Sequence, residues 1–289
     1  MLWLPLAFLT ALSESLKDVF GKITLAKNDV YIVAFALRLF SLPFILPFLF
    51  FIRIPSLNSD FYIALVVGGL LNVVTTVLYM KAIKYSDLSI TVPFLTFTPL
   101  FLLITSPLIV GEFPNGWGIT GVIFIVLGSY IMNLRLKQKT IFEPFKMLFT
   151  EKGPRYMLAV AFLWSITSNF DKMGVVNSSP LFWAVAISSF LTILMFILAL
   201  LKSRQHLNQL RIHFTGLLPV GLFTALSLIF QMTAISMTLV AYVISIKRTS
   251  ALMSVILGYF VFKEKGIKSR LVGTIVMLLG VLIIALLGK

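Results

Sequence analysis

Ten apolar runs divide the chain, at about 2–24, 30–52, 61–82, 87–109, 116–134, 156–176, 180–201, 214–236, 239–262 and 268–287. Each is close to the roughly 20 residues that a helix needs to cross the hydrocarbon core of a bilayer. No water reaches the backbone there, so each run must satisfy its own N–H and C=O groups, which a helix does. Most links between runs are short, such as Asn177-Ser178-Ser179-Pro180. The expected fold is an all-α membrane protein with ten transmembrane helices. The residue balance agrees: 59% hydrophobic and 12% charged, against about a quarter charged in a soluble domain. The first run, MLWLPLAFLTALSES, has no basic leader and continues past Ser15, so it reads as a first membrane helix rather than a signal peptide.

The net charge is +14. The cations cluster in short loops, where lipid headgroups and topology account for them. Membrane lipid is therefore an expected partner and nucleic acid is not. Cysteine is absent, and the two histidines, His206 and His213, share one basic loop. No metal site, nucleotide loop or nucleophile motif is legible, so no cofactor is expected.

The halves are related. A shift of 152 residues lays Met80–Leu134 on Met232–Leu286 without a gap, matching Glu112 with Glu264, Gly121 with Gly273 and Gly128 with Gly280. A shift of 153 pairs Asp18 with Asp171. Five helices per repeat is an odd number, so the second repeat enters from the opposite side. Many secondary transporters use such inverted repeats. Residues 1–134 form the first five-helix repeat and 156–289 the second. Between them, 135–155 is basic, with Phe142, Phe145 and Phe149 in an amphipathic middle, and is expected to lie on the membrane surface.

Ten helices in two halves, with Gly111-Glu112 closing the fourth run and Lys263-Glu264 the ninth, resemble the EamA-type members of the drug/metabolite transporter superfamily. The resemblance covers nearly the whole chain and implies a small-molecule transporter. The segment SIKRTSALMSVILGYFVFKE also resembles the ninth helix of the plastid triose-phosphate and sugar-phosphate translocators. There a Lys-Arg pair grips phosphate. Only Lys247 and Arg248 carry over.

Those two cations sit inside the ninth apolar run. Each charge at bilayer depth costs about 2.5 to 3.5 kcal/mol on insertion scales. They serve either as a site for carboxylate or phosphate or as half of an internal ion-pair network. Glu14, Lys17 and Asp18 share one face of the first helix. Glu14 is either a proton carrier or the partner of a neighbouring cation. Asp171, the repeat mate of Asp18, is either countercharge at a gate or a solvated end residue. Asn72, Tyr79, Trp164, Asn169, Gln231 and Tyr242 are polar positions within apolar runs. They either line a cavity or hydrogen-bond helix to helix. Thr96 is the repeat mate of Arg248, in a run with Pro93, Pro99 and Pro107, where a kink is expected. Pro43 and Pro47 are candidate hinges in the second run. The spaced glycines 121/128 and 273/280 suit close helix packing, either of the fifth helix on the tenth or between two copies of a homodimer.

The sequence thus reads as a secondary active transporter, permease or exporter, of a small anionic or zwitterionic metabolite. Lys247 and Arg248 would anchor the anion, with Glu14, Asp18 or Asp171 as countercharge or proton carrier. The expected location is a cytoplasmic membrane of the bacterial type. The rival reading is a membrane scaffold or a lipid-headgroup enzyme that transports nothing.

Orientation sets charge against family habit. The loops after the odd-numbered helices hold 17 Lys and Arg, six of them in the 135–155 linker. The opposite side has Arg53 and Lys289, with Lys172 at its border. In short loops the cations face the cytoplasm, which places both termini on the far side, whereas the family's habit is termini inside. A reporter active only in the cytoplasm is expected to be silent when fused at Lys289 and active in a truncation at Lys139. The reverse pattern would restore the family's orientation.

Overall fold

The computed structural model describes residues 2–25, 29–85, 94–133, 143–212, 214–250, 252–253 and 267–288. Each apolar run is helical over most of these residues. In chain order the helices are α1 (Trp3–Leu25), α2 (Val30–Leu39), α3 (Leu42–Ile45), α4 (Ser59–Ile63), α5 (Gly69–Tyr85), α6 (Thr98–Ile109) and α7 (Gly116–Asn133). They continue as α8 (Glu143–Thr150), α9 (Lys152–Val176), α10 (Pro180–Ser203), α11 (Gln209–Ile212), α12 (Phe214–Met237), α13 (Val240–Lys247) and α14 (Ile267–Leu287). Four helical stretches among the described residues are long and apolar enough to cross a membrane: Val30–Phe50, Ser59–Ala82, Pro180–His206 and Gly216–Met237. Lys263, Glu264 and residues 134–142 lie outside the described residues.

Local chemistry sets many boundaries. Asp29 begins α2 by accepting from the amides of Tyr31 and Ile32, and Asn58 caps α4 through Phe61 N–H at 3.0 Å. Ser179 caps α10, with Pro180 in its first turn. The second run is segmented at its prolines: α2 ends at Leu39, and α3 is followed by a 3-10 turn, Leu46–Phe50. A π-turn over Ala64–Gly68 joins α4 to α5, and Asn72 Nδ2 donates to Gly68 O at 3.1 Å.

Contacts divide the chain into two compact units that differ from the sequence repeats. Unit 1 is Met1–Val73 with Phe170–Met237, and unit 2 is Val74–Asn169 with Thr238–Lys289. Each draws helices from both repeats.

In unit 1, α1 packs along α12, and α10 packs against α2 and α12. The α1 face is made of small residues, with Ala7, Thr10, Ala11 and Ser15 fully buried. Phe20 stacks on Phe223 at 5.6 Å. Trp183 sits at the centre of a cluster with Phe61, Leu191 and Met232. Gly174 makes room for the indole, since a Cβ there would overlap its ring.

In unit 2, α7 and α14 pack along their length. Backbones touch at the spaced glycines: a Cβ on Gly128 would lie 2.6 Å from Gly273 O, and one on Gly280 would lie 2.6 Å from Gly121 O. The glycine pattern therefore serves a contact of the fifth helix with the tenth inside the chain. Of the linker, α8 inserts Leu148 against Met157 and Val160, while Phe149 projects outward, 84% exposed.

Overpacking this glycine seam should separate α7 from α14. Gly128→Val is expected to lower the melting temperature of the detergent-solubilised protein by the equivalent of about 1–3 kcal/mol or more. Ser129→Ala, one residue along the same helix, serves as the control. Equal melting of Gly128→Val and wild type would contradict the seam.

Candidate functional site

Unit 2 contains two helix breaks at repeat-equivalent positions. Before α6 the chain is helical at 94–95, turns at 96–97 and resumes at Thr98. After α13 it turns at 248–249 and resumes at Ser250. The hydrogen bonds match one for one under the shift of 152. Phe97 N–H donates to Phe94 O and Phe101 N–H to Phe97 O, while Thr249 N–H donates to Ile246 O and Met253 N–H to Thr249 O. The Pro-rich run is thus broken rather than smoothly kinked. Pro99 stands in the first turn after the break, where a missing N–H is tolerated.

A break interrupts the i→i−4 ladder, and polar side chains take up the released groups. Thr98 Oγ1 donates to Leu95 O at 2.8 Å. Thr249 Oγ1 donates to Ile246 O at 2.7 Å.

Arg248 lies in the second break and joins it to the first. Its Nη2 donates to Thr98 Oγ1 at 2.9 Å. Its guanidinium carbon lies 5.8 Å from the centroid of the Trp164 ring, within reach of cation–π attraction. Tyr79 backs the same indole, with centroids 5.5 Å apart. Lys247, the last residue of α13, is half-buried beside it.

Of the residues expected at the site, Tyr79, Trp164 and Arg248 are brought together here. Thr96 is buried at the first break, but the contact with Arg248 belongs to Thr98. Thr98, two residues further along the same apolar run, was not among the residues expected at the site. Asn169 is engaged elsewhere in the unit: its amide donates to Thr105 Oγ1 and Ser165 O and accepts from Ser106. It ties α6 to α9. Tyr242 is buried on α13 and meets the Asn115 backbone.

Unit 1 holds the acids. Glu14 is bracketed by Lys17 Nζ at 2.5 Å and by Ser227, whose hydroxyl donates to Oε2 at 2.9 Å. Its side chain is 18% exposed, against 52% for Asp18, so Asp18 is the solvated member of the face. Lys17 also lies 3.7 Å from Asp18 Oδ1. Asp171 accepts from Trp183 Nε1 at 3.0 Å, and Lys172 donates to Ile235 O. Gln231 is buried on α12. The structure adds a cation that the sequence reading passed over. Arg38 stands half-buried on α2, within electrostatic reach of Asp171 and Glu14. Its signal was a lone arginine inside an apolar run, the same signal that marked Arg248.

The family model described as "EamA-like transporter family" matches residues 1–134 and 152–286. A solved crystal structure superposes with a TM-score of 0.76 over 99% of this chain and 97% of its own, at 13% identity. At that identity the likeness is one of fold. Among curated proteins there is no match.

Proposed function

The chain belongs to the EamA-like transporter family, and on that premise we propose that it is a secondary active transporter of a small anionic or zwitterionic metabolite. Membership makes it a multi-pass membrane transporter of a small molecule and not an enzyme. What we add is the substrate class, the site and the coupling.

The observation that carries the reading is the pair of matching helix breaks in unit 2, with Arg248 in one bonded to Thr98 beside the other. Broken helices at corresponding positions of two repeats mark substrate sites in transporters of many folds. A guanidinium there offers a planar fork of donors suited to carboxylate or phosphate, and Lys247 adds a point charge. One hydroxyl accepts from the guanidinium and one indole face lies within reach of its charge, which fixes the direction in which the fork is presented. Glu14, Asp18 and Asp171 in unit 1 supply countercharge, and Glu14, the least exposed of the Glu14-Lys17-Asp18 set, is the proton carrier. The chain has no nucleotide loop, so the energy comes from a gradient or from exchange, through alternating access of the two repeats. The proposed setting is a bacterial-type cytoplasmic membrane.

Arg248→Leu and Lys247→Leu should insert normally, because leucine lowers the cost of insertion, and should lose counterflow in liposomes. Wild-type uptake by both variants would remove the anion site. Separately, Glu14→Gln should keep exchange across the membrane and lose accumulation driven by a pH gradient. Unchanged accumulation would leave Glu14 as the structural partner of Lys17 and Ser227.

A further inference from the structure

The helix that delivers Arg248 has an unusual beginning. Its N-cap residue is Leu239, which has no side-chain oxygen, and no cap bond comes from that position. An eight-residue helix leaves a large share of its amides without an internal acceptor. The acceptor comes from another part of unit 2: Glu112 Oε2 takes the hydrogen bond of Val240 N–H at 2.8 Å. A carboxylate at this point also opposes the positive end of the helix dipole.

The turn that carries Glu112 is built for this reach. Glu112 follows the last turn of α6, and its own N–H returns to Ser106 O at 3.3 Å. Gly111 makes the reversal at φ 70°, a conformation that side-chain-bearing residues rarely adopt. The next residues close on α13 as well. Tyr242 Oη meets the Asn115 backbone, and a Cβ on Gly118 would overlap that oxygen. Asn115 caps α7 through Gly118 N–H at 2.7 Å and ties it to Leu287 O at 2.9 Å.

The two ends of α6 therefore hold the two ends of α13. Glu112 follows the C-terminus of α6 and grips the first residue of α13. Thr98 opens α6 and holds Arg248, one residue past the end of α13. With α13 only eight residues long, fraying from its start reaches Arg248 within two turns.

We propose that Glu112 is a positioning residue that caps α13 from the α6–α7 turn and fixes where the Arg248 guanidinium stands. This gives the Gly-Glu pair at the end of the fourth run a role of its own: glycine turns the chain and glutamate clamps the helix that bears the cation. That Arg248 then receives an anion rests on the reading under Proposed function.

The test uses the full chain in lipid nanodiscs, with Glu112→Ala, Glu112→Gln and Asn115→Ala. Amide hydrogen exchange of the peptide covering 240–248 reads the clamp without any ligand. Glu112→Ala should speed exchange at Ser245–Arg248 about fivefold, the scale of one lost helix cap. Glu112→Gln keeps an acceptor oxygen and should stay within about twofold. Asn115→Ala loosens the same corner through α7, where only the Asn115 backbone meets Tyr242, and should raise α13 exchange by clearly less than Glu112→Ala. Unchanged exchange in Glu112→Ala, or an equal rise in Asn115→Ala, would overturn the assignment.

Counterflow with inorganic phosphate as the probe reads the consequence. Half-saturation should rise about fivefold in Glu112→Ala with the maximal rate kept, and return in Glu112→Gln. If wild type shows no phosphate-dependent flux while exchange responds as stated, the clamp stands and the anion reading loses its support. If phosphate moves and Glu112→Ala carries it with wild-type half-saturation, the positioning role is wrong and the anion reading survives.

Discussion

A guanidinium inside an apolar run is costly at bilayer depth, and in unit 2 two helix breaks meet at one. Arg248 follows an eight-residue helix, in a two-residue break. Thr98 accepts one of its hydrogen bonds and Trp164 lies under its charge. The Thr98 hydroxyl, the Trp164 ring and the end of α13 together fix where the guanidinium stands.

The charges of unit 1 follow a different logic. Glu14 already has a cation on one oxygen and a hydroxyl on the other, so a proton arriving there must displace Lys17 or share the carboxylate with it. Asp171 is held by the indole of Trp183, whose ring fills the space that Gly174 leaves open. The helix that carries Glu14 and Asp18 also carries Lys17, and Lys172 follows Asp171 directly.

Much of the architecture was legible because the bilayer permits so few solutions. Apolar length gave the helices, and the constant offset of 152 gave the duplication. The same offset aligns the two breaks, residue 96 with 248 and 97 with 249, but only coordinates show that the helices stop there. Composition cannot separate a continuous helix with threonines from two pieces joined by a turn, since both are equally apolar. Side-chain partners were harder to read. Thr96 was chosen by repeat position, yet a helix resuming at Thr98 sends the later hydroxyl toward Arg248. Asn169 could by position line a cavity or tie helices, and it ties α6 to α9, because Thr105 and Ser106 stand opposite it. Such choices depend on which helix is the neighbour. A single sequence does not carry that information.

The central claim is that Arg248 receives an anionic group, and ligand-dependent melting tests it without a transport assay. Purified wild-type protein would be scanned against amino acids, sugar phosphates and nucleotide sugars, alongside Arg248→Leu. A solute that binds the folded state raises the melting temperature according to its concentration over its dissociation constant. The account predicts that at least one anionic or zwitterionic solute stabilises wild type and loses that effect in Arg248→Leu. Equal stabilisation of both proteins by the same solute would contradict it.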